Sequence, residues 1–268
     1  MLNPYADIKK VPLQGDGVYS SAYSVQMEEE SKDGVNRFKE VGVVGSNYML
    51  LPNKEVKEAA DTVAFEVNVN FEVDKEFFDG KKYIYSLKSN DSLGKVRVND
   101  DVALGMQFWN SYDGSRSFGF SMMLYRLICT NGMMSGTYFR PYRFRHSPNS
   151  SEWQENLEQV INNVNNVLDG TVSTGNFLSS LVNLDSNKVT TESLAYIRHN
   201  HLNRLPVSTF GSVIDRATKE MIDEDRDSIT GWDLLNAGTG VLWHKEKPNY
   251  SHYNQNQMIV DGLIKAYN

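Results

Sequence analysis

Hydrophobic and polar positions alternate most strictly over residues 64–73. Phe65, Val67, Val69, Phe71 and Val73 fall on one side, and Glu66, Asn68, Asn70 and Glu72 on the other. A period of two is the mark of a half-exposed strand. Asp79-Gly80 reads as a tight turn into a second strand over residues 82–88, and residues 94–98 form a short third. Residues 106–111 and 117–122 flank Tyr112-Asp113-Gly114-Ser115 and read as a hairpin. Residues 137–140 and 142–145 complete the set. Leu51-Pro52-Asn53 followed by residues 55–62 predicts one short helix ahead of these strands.

Beyond residue 150 the period changes to that of a helix. Ser151-Glu152-Trp153-Gln154 fits a capping box. Trp153, Leu157, Val160, Ile161, Val164, Val167 and Leu168 then recur at the spacing of one apolar helix face, and Asp169-Gly170 stops it. Residues 177–184 predict a shorter helix. Thr190 or Thr191 caps the next, with Leu194, Ile197 and Leu202 inward and Pro206 at its end. Ser208 opens a fourth through Phe210, Val213, Ile214, Ala217 and Met221. Thr230 caps a fifth, carrying Trp232, Leu235, Val241 and Trp243, and residues 258–267 form a sixth.

Strands first and helices after is the α+β pattern: a mainly antiparallel N-terminal sheet packed against an all-helical C-terminal half. The chain has 268 residues, enough for one large domain or two small ones. No repeat or low-complexity linker divides it. The expectation is a single domain, 1–268, with a strand-rich half over 1–148 and a helical half over 149–268. Apolar residues make up 40% and charged residues 23%, which excludes a wholly disordered or collagen-like chain. The N-terminus lacks the basic start and apolar run of a secretory signal, and no stretch approaches ~18 consecutive apolar residues. A cytoplasmic protein without a membrane partner is expected.

Net charge is −7, which argues mildly against simple coating of duplex DNA or an anionic membrane, but it is unevenly spread. Between Leu104 and Pro148 five arginines, Arg116, Arg126, Arg140, Arg143 and Arg145, face one acid, Asp113. That window carries +4, which leaves −11 for the rest of the chain. In Tyr138-Phe139-Arg140-Pro141-Tyr142-Arg143-Phe144-Arg145-His146 aromatic and basic side chains interleave. Guanidinium groups make planar contacts to phosphates while aromatic faces accept bases, so this pattern suits single-stranded nucleic acid. The candidate binding residues are Arg116, Arg126, Tyr138, Arg140, Tyr142, Arg143, Arg145 and His146. In an extended strand Arg143 and Arg145 share one face and Tyr142 and Phe144 the other. A plain structural reading competes, because aromatics in strands usually face the core and outward arginines are usually just solvated.

Other chemistry is thinner. The single cysteine, Cys129, allows no intramolecular disulfide, and it reads as a small buried residue. His199 and His201 would point about 200° apart on a helix and cannot chelate one metal from one face. Asp223-Glu224-Asp225-Arg226-Asp227 lacks the glycine and terminal glutamate of a calcium loop. No phosphate-binding, zinc-protease or nucleophile-elbow motif occurs. No cofactor, metal site or catalytic residue is assigned, and the chain leans away from an enzyme.

Three groups of segments together carry a resemblance. Val43-Val44-Gly45-Ser46-Asn47-Tyr48-Met49-Leu50-Leu51-Pro52-Asn53 is followed by Asn110-Ser111-Tyr112-Asp113-Gly114-Ser115. Then come Arg126-Leu127-Ile128-Cys129-Thr130-Asn131-Gly132-Met133 and Arg143-Phe144-Arg145-His146. Gly231-Trp232-Asp233-Leu234-Leu235-Asn236-Ala237-Gly238-Thr239 fits the same order near the end. The chain resembles the phage/plasmid-like protein family of unknown function. The resemblance implies a mobile-element origin and a bacterial host cytoplasm, and it brings no assigned activity. Read physically, Asp113-Gly114 and Asn131-Gly132 are both expected to make tight turns beside the arginine strip, which marks that region as the working surface.

The function expected first is binding or annealing of single-stranded DNA in phage replication or recombination, by a homo-oligomer. An open sheet backed by helices with an arginine and aromatic strand set is similar to annealing proteins of the Red-beta, RecT and Erf type, a likeness at the level of fold alone. A protein-binding inhibitor of a host defence or replication factor is the alternative, with the acidic remainder mimicking nucleic acid. A metal-dependent nuclease or hydrolase built on Asp113 is the third.

Overall fold

A computed structural model describes residues 3–15, 18–29, 37–67, 69–128, 131–139, 141–147, 157–158, 160–162, 164–166, 172–244 and 250–267. Its architecture is α+β, with antiparallel sheets N-terminal and helices C-terminal. Three strands, β1 (Ile8–Gly15), β2 (Val18–Glu29) and β3 (Arg37–Gly45), form one sheet in the order β1-β2-β3. Helix α1 (Asn53–Glu66) follows. A six-stranded sheet then runs β4 (Phe71–Phe78), β5 (Lys82–Arg97), β6 (Asp100–Ser111), β7 (Phe118–Arg126) and β8 (Asn131–Met133), with β9 (Tyr142–Phe144) also pairing β7. Residues 157–166 include helical turns. Helices α2 (Val172–Ser186), α3 (Thr191–Asn200), α4 (Val207–Asp223), α5 (Gly231–Trp243) and α6 (Tyr250–Tyr267) close the chain. No helix among the described residues is long and apolar enough to cross a membrane.

The chain forms two compact units that do not divide at residue 148. Unit 1 takes Met1–Leu87, Met106–Ser121 and Pro141–Asn165, and unit 2 takes Lys88–Gly105, Met122–Arg140 and Asn166–Asn268. Strands β5, β6 and β7 therefore contribute residues to both.

In unit 1, Val25, Met27, Val41, Val44 and Tyr112 make a buried cluster, with Ile8, Tyr23, Tyr48, Leu50 and Phe78 packed around it. β2 supplies Val25 and Met27 by alternation. In β3 the pairing jumps from Gln26↔Glu40 to Val25↔Gly42, so one extra residue sits on β3. The bulge lets Val41 and Val44, three apart, both turn inward. The strict alternation over residues 64–73 is not one strand. Residues 64–66 end α1, and the strand starts at Phe71. The buried positions Val56, Ala59, Ala60, Val63 and Val67 keep helical spacing, and that burial overrides the local alternation, leaving Phe65 81% exposed.

In unit 2, α5 is buried along almost its whole length and packs with α2, α4, α6 and β8. Thr230 caps it in a capping box with Asp233, and Thr190 caps α3 with Ser193. Pro206 does not end α3, which stops at Asn200. It stands instead as the cap of α4. The segments 82–88 and 94–98 are one strand, β5. Thr137, Tyr138 and Phe139 form a turn rather than a strand, because Tyr138 and Phe139 leave the sheet to pack on Phe177 of α2. The capping box at Ser151, the stop at Asp169-Gly170 and Cys129 lie outside the described residues.

Candidate functional site

The residues of the arginine strip fall in different surroundings. In unit 1, β9 pairs β7 with Phe118↔Phe144, Gly119↔Arg143 and Phe120↔Tyr142 in register. Phe144 stacks on Phe118 at 5.5 Å between ring centroids, and Tyr142 stacks on Phe120 at 5.5 Å. The alternate residues Arg143 and Arg145 are exposed. Among the described residues neither enters an ion pair. Arg116 is half-buried in the loop of the hairpin, and its backbone N–H donates to Ser111 Oγ while its carbonyl accepts from the same hydroxyl.

His146 follows directly. A carbonyl oxygen only accepts, so Nδ1 of His146 carries the proton and donates to Met49 O at 3.0 Å. The Met49 N–H donates back to His146 O at 3.1 Å. The imidazole stacks on Tyr48 at 4.5 Å. Burial lowers its affinity for protons, with the Met49 carbonyl acting in the opposite sense. Nε2 is buried, and among the described residues it has no hydrogen-bond partner.

Tyr48 is held in turn. Its hydroxyl donates to Ser111 O at 2.6 Å, and Lys10 Nζ donates to the Tyr48 and Ser46 carbonyls at 2.8 and 2.7 Å. Burial first, then the Asp113 carboxylate, push the phenol up to about 12. Gly42 of β3 lies so close to the hairpin that a Cβ there would sit 2.5 Å from Tyr112 O and 2.6 Å from Asp113 Cα. Gly114 takes φ +69°, and Asp113 Oδ1 accepts from Ser115 N at 3.0 Å, so Asp113-Gly114 is the tight turn expected. Deeper in, Asn110 Nδ2 donates to Leu51 O and Asn53 Oδ1, and the Asn53 N–H donates to the Tyr112 hydroxyl. Three motif segments, residues 43–53, 110–115 and 143–146, thus meet in one hydrogen-bonded cluster.

The remaining two segments meet in unit 2. Asn131 Nδ2 donates to Asn236 O at 3.2 Å, and His244 Nε2 lies 2.8 Å from Asn131 Oδ1. Asn256 of α6 donates to Gly132 O and accepts from Met134 N, which continues the ladder of β8 where no further strand pairs among the described residues. Gly132 is not a turn residue. It is extended within β8, and glycine is needed there because a Cβ would sit 2.6 Å from the Trp243 ring.

In unit 2 two strip residues have partners within the protein. Arg126 is buried, its Nε and Nη2 donating to Asp100 at 2.7 and 2.8 Å, and Trp232 Nε1 donates to the same carboxylate at 2.8 Å. Tyr138 stacks on Phe177 at 4.8 Å with its hydroxyl 2.7 Å from Ser180 Oγ. Arg140 lies outside the described residues. A cavity of about 480 Å³ opens at the start of α5, lined by Arg97, Asp185, Asp225, Arg226, Asp227, Ser228 and Thr230. Arg97 and Arg226 both bond Asp233 there. Burial alone would raise the Asp233 carboxyl, but Arg226, the Thr230 amide and Arg97 outweigh it and hold it below its ordinary value. Among the described residues no three His, Cys, Asp or Glu side chains gather as a metal cluster.

Tyr48, Met49 and Lys10, which position the end of the strip, were invisible as a functional set in the sequence. The only signal was that Tyr48 and Met49 lie in a motif segment. Thr230 was readable as a helix cap, but nothing in the spacing pointed to Asp233, Arg97 or Asp100.

The chain belongs to a family defined by a domain of unknown function, DUF932, whose profile matches residues 40–261. All five motif segments fall within that match. Comparison with curated proteins and with solved structures finds no match.

Proposed function

We propose that this protein binds the phosphate backbone of single-stranded nucleic acid through Arg143 and Arg145, as a phage or mobile-element protein of replication or recombination. The observation that supports this is the pairing in β9. Tyr142 and Phe144 anchor inward, so Arg143 stands exposed on a fixed strand and Arg145, the residue just past its end, is exposed as well. Arginine makes planar, two-pronged contacts to phosphate and stays charged at any physiological pH. Base stacking plays a smaller part in this reading than the sequence suggested, since Tyr138 and Tyr142 already stack on protein rings. Several copies assembled side by side would align their strips and offset the acidic remainder of each chain.

Fluorescence anisotropy with labelled single-stranded and duplex oligonucleotides, at low and physiological salt, tests the proposal. Salt-sensitive binding that prefers single strands, abolished in R143A/R145A with the fold intact, supports it. Unchanged binding by the double variant moves the groove elsewhere, and no binding at low salt removes nucleic acid altogether. The second reading, a protein-binding inhibitor, draws on the end of α4, where Ile222, Asp223, Glu224, Asp225 and Asp227 are all exposed. A stoichiometric basic partner recovered free of nucleic acid, and lost when those acids are neutralised, favours it.

A further inference from the structure

We propose that His146 is a proton-sensitive clamp that positions Arg145 for the nucleic acid backbone, released when the imidazole takes up a second proton. The inference rests on the nucleic-acid reading above and adds its regulation. Strand β9 ends at Phe144, so Arg145 lies beyond the ladder that fixes Arg143. His146 holds the chain there. Two reciprocal hydrogen bonds tie it to Met49, and its ring lies flat on Tyr48. Tyr48 is itself fixed by Ser111 and Lys10.

The clamp works only with a neutral ring. In the tautomer set by Met49 O, Nε2 carries a lone pair and no hydrogen. A proton added there creates a buried donor and a buried charge that no described residue accepts. Such a group costs free energy until it reaches water. Reaching water means leaving the Tyr48 face and breaking the Met49 contacts. Among the described residues the titratable and charged groups on the elements around it are Arg143 at the centre of β9, Arg145 just before it in the chain, the Tyr48 phenol, Asp113 in the hairpin and Lys10 of β1. Burial and the Met49 carbonyl are what set the proton affinity of the ring. Among the described residues no carboxylate bonds the ring, so acid opens the clamp.

The sign separates this from ordinary electrostatics. Acidification protonates carboxylates and histidines and by itself strengthens binding to a polyanion. The clamp gives the opposite result. The test is the affinity for a fluorescein-labelled oligothymidylate at fixed salt, between about pH 8 and about pH 5.5. Three forms are compared: wild type, H146N and H146A. Asparagine keeps a donor near the Nδ1 position but does not titrate. Wild-type affinity is expected to fall about tenfold with acid, the worth of one charged hydrogen bond. H146N should hold its affinity across the range, and H146A should bind weakly throughout. Acid weakening retained in H146N, or wild-type binding by H146A, overturns the clamp.

Exchange of the Met49 amide, which donates to His146 O, gives a readout without nucleic acid. If wild type binds no oligonucleotide at any pH, the functional reading fails, and this amide alone decides the clamp. Protection lost with acid in wild type and kept in H146N sustains it. Equal protection in both overturns it.

Discussion

The two units hold their motif residues by different chemistry. In unit 1 the cluster is built mostly from neutral groups: Tyr48, Asn53, Asn110, Tyr112 and His146 bond mostly to backbone, Lys10 reaches in to two carbonyls and not to a carboxylate, and Arg143 and Arg145 stand exposed. In unit 2 Asn131 and Asn256 make neutral bonds too, but Arg126, Trp232 and Asp233 belong to an ionic centre. Asp100 takes both prongs of Arg126 and the Trp232 indole, while Asp233 caps α5 and receives Arg97 and Arg226. Arginines of one sequence window therefore have opposite roles. Arg126 satisfies a buried carboxylate, whereas Arg143 and Arg145 are exposed and enter no ion pair among the described residues. Burial, and not residue type, makes the difference, since a buried cation must be paired and an exposed one need not be.

The sharpest way to break this contrast is to remove one ionic partner. Asp100→Asn leaves the buried Arg126 guanidinium without its counter-charge, a change that costs about 3–5 kcal/mol. Tyr48→Phe in the neutral cluster removes one hydrogen bond to a carbonyl and should cost only about 1 kcal/mol. Urea unfolding of the two variants checks the order. If Tyr48→Phe costs as much as Asp100→Asn, the division into ionic and neutral centres is wrong.

Close packing gives the next largest effect, and here the units should agree. Gly42→Ala pushes a methyl into the Tyr112–Asp113 backbone, and Gly132→Ala pushes one into the Trp243 ring. Overpacking of this kind costs about 1–3 kcal/mol. A ring can tilt where backbone cannot, so Gly132→Ala is expected to be the milder of the two by thermal denaturation.

These same residues show what was legible in the sequence. The α+β order, the hairpin at Asp113-Gly114 and the capped helix at Thr230 were readable, because turn and cap chemistry is local. The three-stranded sheet was not. Its β3 carries a bulge at Val41, which breaks the period of two, and the register of β1 shifts between Pro12 and Gln14. Residues 64–66 misled in the other direction, since a short alternation cannot reveal that Val56, Ala59, Ala60 and Val63 bury a helix face ahead of it. At the candidate site alternation placed Arg143 and Arg145 on one face but left open whether that face meets solvent, and the pairing of Arg126 with Asp100 joins strands whose register no local pattern specifies.

Acid should separate the two centres. His146 has its proton affinity lowered by folding, so the unfolded chain binds the proton more readily. Its contribution to stability is complete above the unfolded value of about 6.5 and is lost as pH falls from there through the folded value. Asp233 is also lowered, but from a carboxylate value. Its contribution is complete above about 4 and is lost only below that. Amide exchange followed on Met49 and on Met134, one in each unit, should show protection falling first at Met49. His146→Asn should abolish that early loss and leave the acid limb at Met134 unchanged.

The smallest effect on stability belongs to the strip itself. Arg143 and Arg145 are exposed and enter no ion pair among the described residues, so replacing both by alanine should shift stability by no more than about 0.5 kcal/mol. Their removal should instead appear in the salt dependence of nucleic acid binding. Each phosphate contact on a single strand contributes about 0.7 to the slope of log affinity against log salt. Loss of two contacts should flatten that slope by about 1.4. A double variant as stable as wild type but with a flatter slope sets the two arginines apart as a surface kept for a partner. A variant that loses stability instead would place them with Arg126, as part of what holds the fold together, and would remove the distinction between the two units at the point where it matters for function.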